Sequence, residues 1–336
     1  MSKLQLAEET IAKGEAQYIQ AVVDRFQAMV EREAGDGMMR RDAHVKMHCL
    51  VKAEFIVEPN LPEEFRIGVF QEPKTYHAWI RFSNSDGTIK ADKSRDVRGM
   101  AIKVMGVAGE KILKQEKSAE TQDFILISCP TLPAENVEKF DKLAAAVNGS
   151  IFMKLRYFPT HWRVIRFLVR FMRKFANPLQ IRYFSTTPYL FGTNAVKYCA
   201  TPLFATPDQI PDAPSDDYLR LAIANQLQSK EAVFDFSVQL QTDAEAMPIE
   251  DPRVEWPESV SPFHKVATIR MMQQNCDSVW QAAYGENLSF TPWHALPEHR
   301  PLGGINRARK VIYEAISKLR HAHNREPRTE PVDWDW

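Results

Sequence analysis

Apolar and polar residues alternate most cleanly over residues 232–241, where Phe234, Phe236, Val238 and Leu240 face one way and Asp235, Ser237, Gln239 and Gln241 the other. A period of two predicts a half-buried β-strand. The same period runs from His44 to Val57. It sets Val45, Met47, Cys49, Val51, Ala53, Phe55 and Val57 against His44, Lys46, His48, Lys52 and Glu54. Further strands are predicted near residues 76–83, 99–106, 122–128, 194–200 and 264–270. Residues 6–34 follow the helical period instead, with Ile19, Val22, Val23, Phe26, Met29 and Val30 on one stripe, until AGDG at 34–37 breaks the helix. Many strands with wide helical insertions predict an antiparallel sheet or barrel with helices outside it. The βαβ rhythm of a nucleotide-binding fold is absent, as are its glycine-rich loops.

Residues 160–176 predict a basic amphipathic helix. Ile165, Leu168, Val169, Met172 and Phe175 line one side, and Arg163, Arg166, Arg170, Arg173 and Lys174 the other. No acidic residue occurs between Asp141 and Asp208. Two readings follow: peripheral contact with a membrane surface or acidic partner, or a core-packed helix with its arginines outward. The second is favoured about two to one. The polar, proline-broken tail NREPRTEPVDWDW is expected to stay loose until its tryptophans find a surface.

Composition narrows the field. The chain has 336 residues, 44% hydrophobic and 26% charged, with zero formal net charge. That is enough chain for a substantial core, and neutrality gives no argument for a nucleic-acid partner. Cys49, Cys129, Cys199 and Cys276 lie far apart without Cys-x-x-Cys spacing, which argues against zinc or disulfide frameworks. No signal-peptide pattern or membrane-length apolar run occurs, and a reducing cytoplasm is the expected location.

The candidate chemistry begins near the C-terminus. Arg309 and Tyr313 stand four apart in a predicted helix and so share a face. A phenol ionises near pH ~10, and a neighbouring guanidinium stabilises the phenolate, which can bind ferric iron. Alone, the pair reads more readily as a packing tyrosine flanked by surface arginines. Three earlier segments change the balance: Arg41-Asp-Ala-His44-Val-Lys, Ile80-Arg81-Phe82-Ser83 and Arg95-Asp96-Val-Arg98-Gly99-Met-Ala-Ile-Lys. Their order, followed by an Arg-x-x-x-Tyr helix, resembles the haem catalase family. That family carries Arg-x-x-His-Ala-Lys, Val-Arg-Phe-Ser and Arg-Asp-Pro-Arg-Gly-Phe-Ala-Val-Lys in the same order. Residues 123–130 and 254–257 match more weakly. The resemblance covers residues 38–325 and points to the small, catalase-related branch, since the chain lacks room for a catalase's long N-terminal arm and C-terminal helical region.

The resemblance implies an α+β fold: an eight-stranded antiparallel β-barrel with flanking α-helices around haem b. Residues 1–37 would form an N-terminal helical arm and 38–336 the haem-binding domain, including a proximal helix at about 305–323. Tyr313 would be the metal ligand, with Arg309 beside it. Arg41, Arg81 and Arg320 would hold the haem propionates. His44 matches the distal histidine, and Ser83 the serine that orients it. Ser128 falls where catalases keep a distal asparagine. A hydroxyl offers one donor where an amide offers two, so efficient dismutation of hydrogen peroxide is in doubt and a bulkier peroxide has room. His48, Arg95, Asp96, Arg98 and Gly99 read as structural, the glycine allowing close backbone approach.

The expected activity is a haem-dependent hydroperoxidase: an organic peroxidase with weak catalase activity, using an organic electron donor. A fatty-acid hydroperoxide isomerase or lyase is the near alternative, and a non-catalytic haem-binding protein the more distant one. Expected partners are a peroxide or lipid hydroperoxide, a membrane surface contacted through residues 160–176, and a second copy in a homodimer.

Overall fold

The strands predicted from period two are all present in the computed structural model, which describes residues 5–334. In chain order the elements are α1 (Glu15–Ala34), β1 (Met47–Val57), β2 (Thr75–Asn84), β3 (Arg98–Met105), β4 (Thr121–Ile127), α2 (Val137–Asn148), α3 (Ile151–Tyr157) and α4 (Trp162–Phe171). There follow β5 (Tyr183–Phe184), β6 (Tyr189–Phe191), β7 (Asn194–Leu203), α5 (Tyr218–Ser229), β8 (Ala232–Leu240), β9 (Phe263–Met271), α6 (Val279–Asn287) and α7 (Gly304–Asn324). The strands run β5-β4-β3-β2-β1-β9-β8-β7, and β5 pairs back onto β7, so eight antiparallel strands close a barrel while β6 extends from β7 as a hairpin. The barrel is filled by side chains. Phe55, Phe70, Phe124, Tyr198 and Phe236 interlock there, with Phe124 and Phe236 edge-to-face at 5.0 Å.

Two boundaries differ from the period-based reading. Strand β1 begins at Met47, because His44 adopts φ 57°, a turn conformation that no strand residue takes. A bulge lies between Met47 and Cys49, and His48 within it is buried against Asn84 rather than facing water. Helix α1 starts at Glu15, since Ala7 (φ 57°) and Gly14 (φ 78°) hold the preceding segment out of helical geometry. Its stripe of Val22, Val23, Met29 and Val30 packs on Ile305, Ala308, Ile312 and Ile316 of α7. Helix α7 leaves Gly303, whose φ of 86° and missing side chain are both required: a Cβ there would lie 2.6 Å from the Ile249 carbonyl oxygen.

The basic helix is shorter than 160–176. Helix α4 stops at Phe171 because Arg173 pairs as a backbone bridge with Asp96. Its apolar stripe is mostly uncovered within the helix: Ile165 and Val169 are exposed, Leu168 is half-buried, Val164 is its buried residue, and Phe175, beyond the helix end, packs on the core. This reverses the preference for a core-packed helix.

The C-terminal tail is docked. Trp334 stacks on His77 at 3.7 Å and donates to the Ala78 carbonyl, while Trp336 lies outside the described residues. Glu330 reaches Lys103 at 2.7 Å, and Arg328 pairs with Glu116. Glu116, His294 and Glu330 converge closely enough to suit a metal, but the Lys103 and Arg328 cations already neutralise the two carboxylates. The cluster therefore reads as the tail's anchor. Among the described residues, no helix is long and apolar enough to cross a membrane.

Candidate functional site

A cavity of about 700 Å³, counting its mouth, lies between one end of the barrel wall and α7. Met100 and Ala101 of β3, Ile125 and Leu126 of β4, Phe290 and Ile316 supply apolar walls. His44, Ser83, Arg41, Arg81, Tyr313 and Arg320 supply polar groups to the same space. Sequence segments separated by more than two hundred residues thus meet around one void.

On the barrel side, His44 sits in the turn before β1 with its Nδ1 3.0 Å from Ser83 Oγ, at the end of β2. Its ring lies flat against Gly99 of β3: a Cβ there would fall 2.5 Å from His44 Nδ1 and 2.8 Å from Ser83 Oγ. The glycine is what admits the imidazole. Burial, reinforced by the Arg81, Arg309 and Arg41 charges, pushes the His44 pKa down to about 3. The ring is therefore neutral at ordinary pH, and one nitrogen can accept a proton.

On the α7 side, Arg309 donates to the Tyr313 hydroxyl at 3.2 Å. The other arm of its fork reaches Asn306 Oδ1 at 3.2 Å and Thr187 Oγ1 at 3.4 Å. Asn306 is itself locked, donating to the Pro188 and Leu302 carbonyls. Burial opposes the Arg309 charge, but the neighbouring Tyr313 and Tyr189 hydroxyls outweigh it and hold the guanidinium charged. Arg309 does not itself line the cavity; it sits behind Tyr313 and fixes that ring. Arg309 therefore braces the Tyr313 ring from behind rather than facing the void.

A third group is electrostatic. Arg41, Arg81 and Arg320 converge at the cavity, where Glu286 pairs with Arg41 at 2.9 Å and Arg81 at 3.8 Å. Arg320 spends its fork on the Glu286 and Asn287 carbonyls and on Ser289 Oγ. Two of the three guanidinium groups pair with the Glu286 carboxylate, and Asp42 is the other acidic side chain in the lining. Burial and then Arg41 pull Arg81 well below the usual arginine range and Arg320 down to about 9. Arg81 Nε is buried without a hydrogen-bond partner. Such a cluster is short of anions.

Ser128 is not brought to this site. Its hydroxyl accepts the Arg98 backbone N–H at 2.9 Å, next to the β3–β4 ladder, and the cavity wall from β4 is Ile125 and Leu126. The expectation for Ser128 fails because it stands just past the end of β4 with its hydroxyl tied to the Arg98 backbone. Arg98 and Asp96 hold turns, as their sequence reading implied: Asp96 receives the Ser85 and Asp86 N–H groups, and Arg98 reaches the Asp92 and Ser94 carbonyls. Glu286, Ser289, Phe290 and Ile125 were missed, since nothing in their local pattern marks them. Asn306 had a signal: it stands three before Arg309 on the same helical face.

No family model matches this chain, and no curated protein matches its sequence. Solved structures do. A fungal catalase superposes with a TM-score of 0.69 at 16% identity, covering 95% of this chain and 66% of its own. A bacterial catalase gives 0.66 at 17%, covering 96% and 63%. Catalase A from Saccharomyces cerevisiae gives 0.68 at 18%, covering 95% and 67%. The chain therefore has the catalase fold and spans about two thirds of the length of those enzymes.

Proposed function

We propose that this chain is a haem-dependent hydroperoxidase that acts on organic peroxides and dismutates hydrogen peroxide weakly. The observation that carries the reading is one cavity holding a neutral, serine-tethered histidine, an arginine-tethered tyrosine and an anion-poor arginine cluster. A haem fits each of these features. Tyr313 would supply a phenolic oxygen to ferric iron. Arg41, Arg81 and Arg320 offer excess positive charge for two propionates, and Met100, Ala101, Ile125, Leu126 and Ile316 offer apolar contact. When bound, the iron supplies the redox chemistry that breaks a peroxide O–O bond.

The chain's own work is proton handling. With Nδ1 held by Ser83, the Nε2 of His44 takes the proton of an incoming hydroperoxide and returns it to the departing oxygen. The leaving group then departs as an alcohol or water. Among the described residues, no asparagine or glutamine lines the cavity, and β4 contributes aliphatic side chains. A small peroxide therefore lacks a second amide to hold it, whereas an organic hydroperoxide gains apolar contact. Doubt about dismutation thus rests on Ile125 and Leu126 rather than on Ser128.

The same apolar wall suits a fatty-acid hydroperoxide isomerase or lyase, which needs no external electrons. Haem-loaded protein should turn over an organic hydroperoxide with a phenolic donor at least about tenfold faster than it releases oxygen from hydrogen peroxide. His44→Ala should lower that turnover by about 10²–10⁴. Consumption of a lipid hydroperoxide at full rate without donor would replace this reading with the isomerase or lyase. An unchanged rate in His44→Ala would leave a haem-binding protein without this acid–base chemistry.

A further inference from the structure

The segment α3–α4 exposes apolar side chains that the rest of the molecule leaves uncovered. No residue of α3 is buried, and Phe152 is 79% exposed; on α4, Val169 is 68% exposed. Ile151, Leu155, Trp162 and Ile165 are exposed as well. The two helices are joined through residues 158–161, where His161 stacks on Tyr157 at 3.7 Å. An exposed apolar concentration of this kind marks a contact surface.

Charge identifies the occupant. Lys154, Arg156, Arg163, Arg166, Arg170 and Lys174 punctuate the same segment, and no acidic residue occurs between Asp141 and Asp208. The Arg163 and Arg166 guanidinium groups each lie 5.6 Å from the Trp162 ring centre, a cation beside an amphipathic aromatic. One contact with a neighbouring acid is Arg170 to Glu255 at 3.3 Å, both half-exposed, which is worth little. A second copy of this face would set like charges against one another across a two-fold axis, which disfavours self-association. A nucleic acid would use the cations but leave Phe152, Leu155 and Val169 in water. An anionic bilayer satisfies both sets: acyl chains take the apolar side chains, while the long cationic side chains reach the phosphates.

We infer that α3–α4 is a peripheral membrane-binding element that docks on anionic lipid bilayers through Phe152, Leu155, Trp162 and Val169 with a flanking arginine and lysine collar. Docking is set by residues outside the cavity, so it stands or falls independently of the peroxide chemistry.

Co-sedimentation tests this with vesicles of phosphatidylcholine alone and of phosphatidylcholine with phosphatidylglycerol. The full chain should pellet with the anionic vesicles and stay in solution with the neutral ones. The double variant Phe152→Glu/Val169→Glu should lose at least about tenfold in vesicle affinity while keeping its far-ultraviolet spectrum and thermal midpoint. Arg163→Glu/Arg166→Glu should lose binding too, through charge. The inference is overturned if the wild type ignores anionic vesicles. It is equally overturned if Phe152→Glu/Val169→Glu binds as well as wild type, or if that variant instead abolishes a dimer seen by ultracentrifugation.

Discussion

Helices α4 and α7 look alike as sequence and differ completely as structure. Both carry an apolar stripe bordered by arginines. In α7 the stripe is sealed against α1, and each key arginine is spoken for: Arg307 by Glu9, Glu15 and Glu250, Arg309 by Tyr313 and Asn306, Arg320 by carbonyls. In α4 the stripe meets solvent, and its arginines find one half-exposed carboxylate. Periodicity makes the helix in both cases. What covers the stripe decides whether its polar border becomes the wall of an internal site or the rim of an external one.

The largest effect should come from breaking the approach of the barrel wall to α7. Gly99→Ala places a methyl where His44 and Ser83 now lie, so the imidazole must leave its seat. Peroxide turnover should fall by about 10²-fold or more, approaching the His44→Ala value. Overpacking should cost about 1–3 kcal/mol in denaturant unfolding. A variant with wild-type turnover would show that the histidine's seat is unimportant.

The contrast between the helices can be broken directly by stability. Ile312→Ala empties a position sealed between α7 and α1 and should cost about 2–5 kcal/mol. Val169→Ala on α4 should stay within about 0.5 kcal/mol of wild type. Comparable losses at the two positions would mean that α4 is packed after all.

A smaller effect is expected in the pH dependence. His44 is held down to about 3 by burial and the three arginines, so its basic form persists far below neutrality. The acid limb of kcat/KM should show no break near pH ~6.5, the value of an ordinary histidine. The sign for stability follows from the same shift. The unfolded histidine binds a proton below about 6.5 and the folded one does not, so its contribution is full above that pH and is lost as pH falls toward about 3. His48 and His299, also pushed down to about 3 by burial, act in the same sense. Asp42 and Asp123, raised by burial to about 6, partly counter it between about 4 and 6. A kcat/KM limb centred on about 6.5 that disappears in His44→Ala would contradict the buried-base assignment.

Much of the fold was legible because its strands turn one face to a filled barrel, so Ile80 and Phe82 of β2 and Phe234, Phe236 and Val238 of β8 all enter the core. Alternation failed where the backbone leaves regular geometry, at His44 and at the bulge in β1, and where a strand's outer face is itself covered. His48 shows the second case: its nitrogen meets Asn84 at 2.9 Å beneath other elements, although the alternation pointed it outward. In the site, His44, Ser83, Arg81 and Tyr313 were readable because each sits in a short string whose residue types are chemically unusual together. Ser128 misled because a matched string does not show that the residue stands just past the end of β4 with its hydroxyl tied to the Arg98 backbone. Glu286 was invisible, since its role exists only where three distant arginines gather.

We propose that Tyr313, braced by Arg309, holds iron in a cavity shared with His44. The most direct test is a spectroscopic titration of ferric haem into the wild type and Tyr313→Phe. One equivalent should give the wild type a Soret band with high-spin ferric features, and the phenylalanine variant should lose or shift those features while remaining folded. Superimposable spectra for the two proteins, or no Soret band in the wild type, would contradict the account.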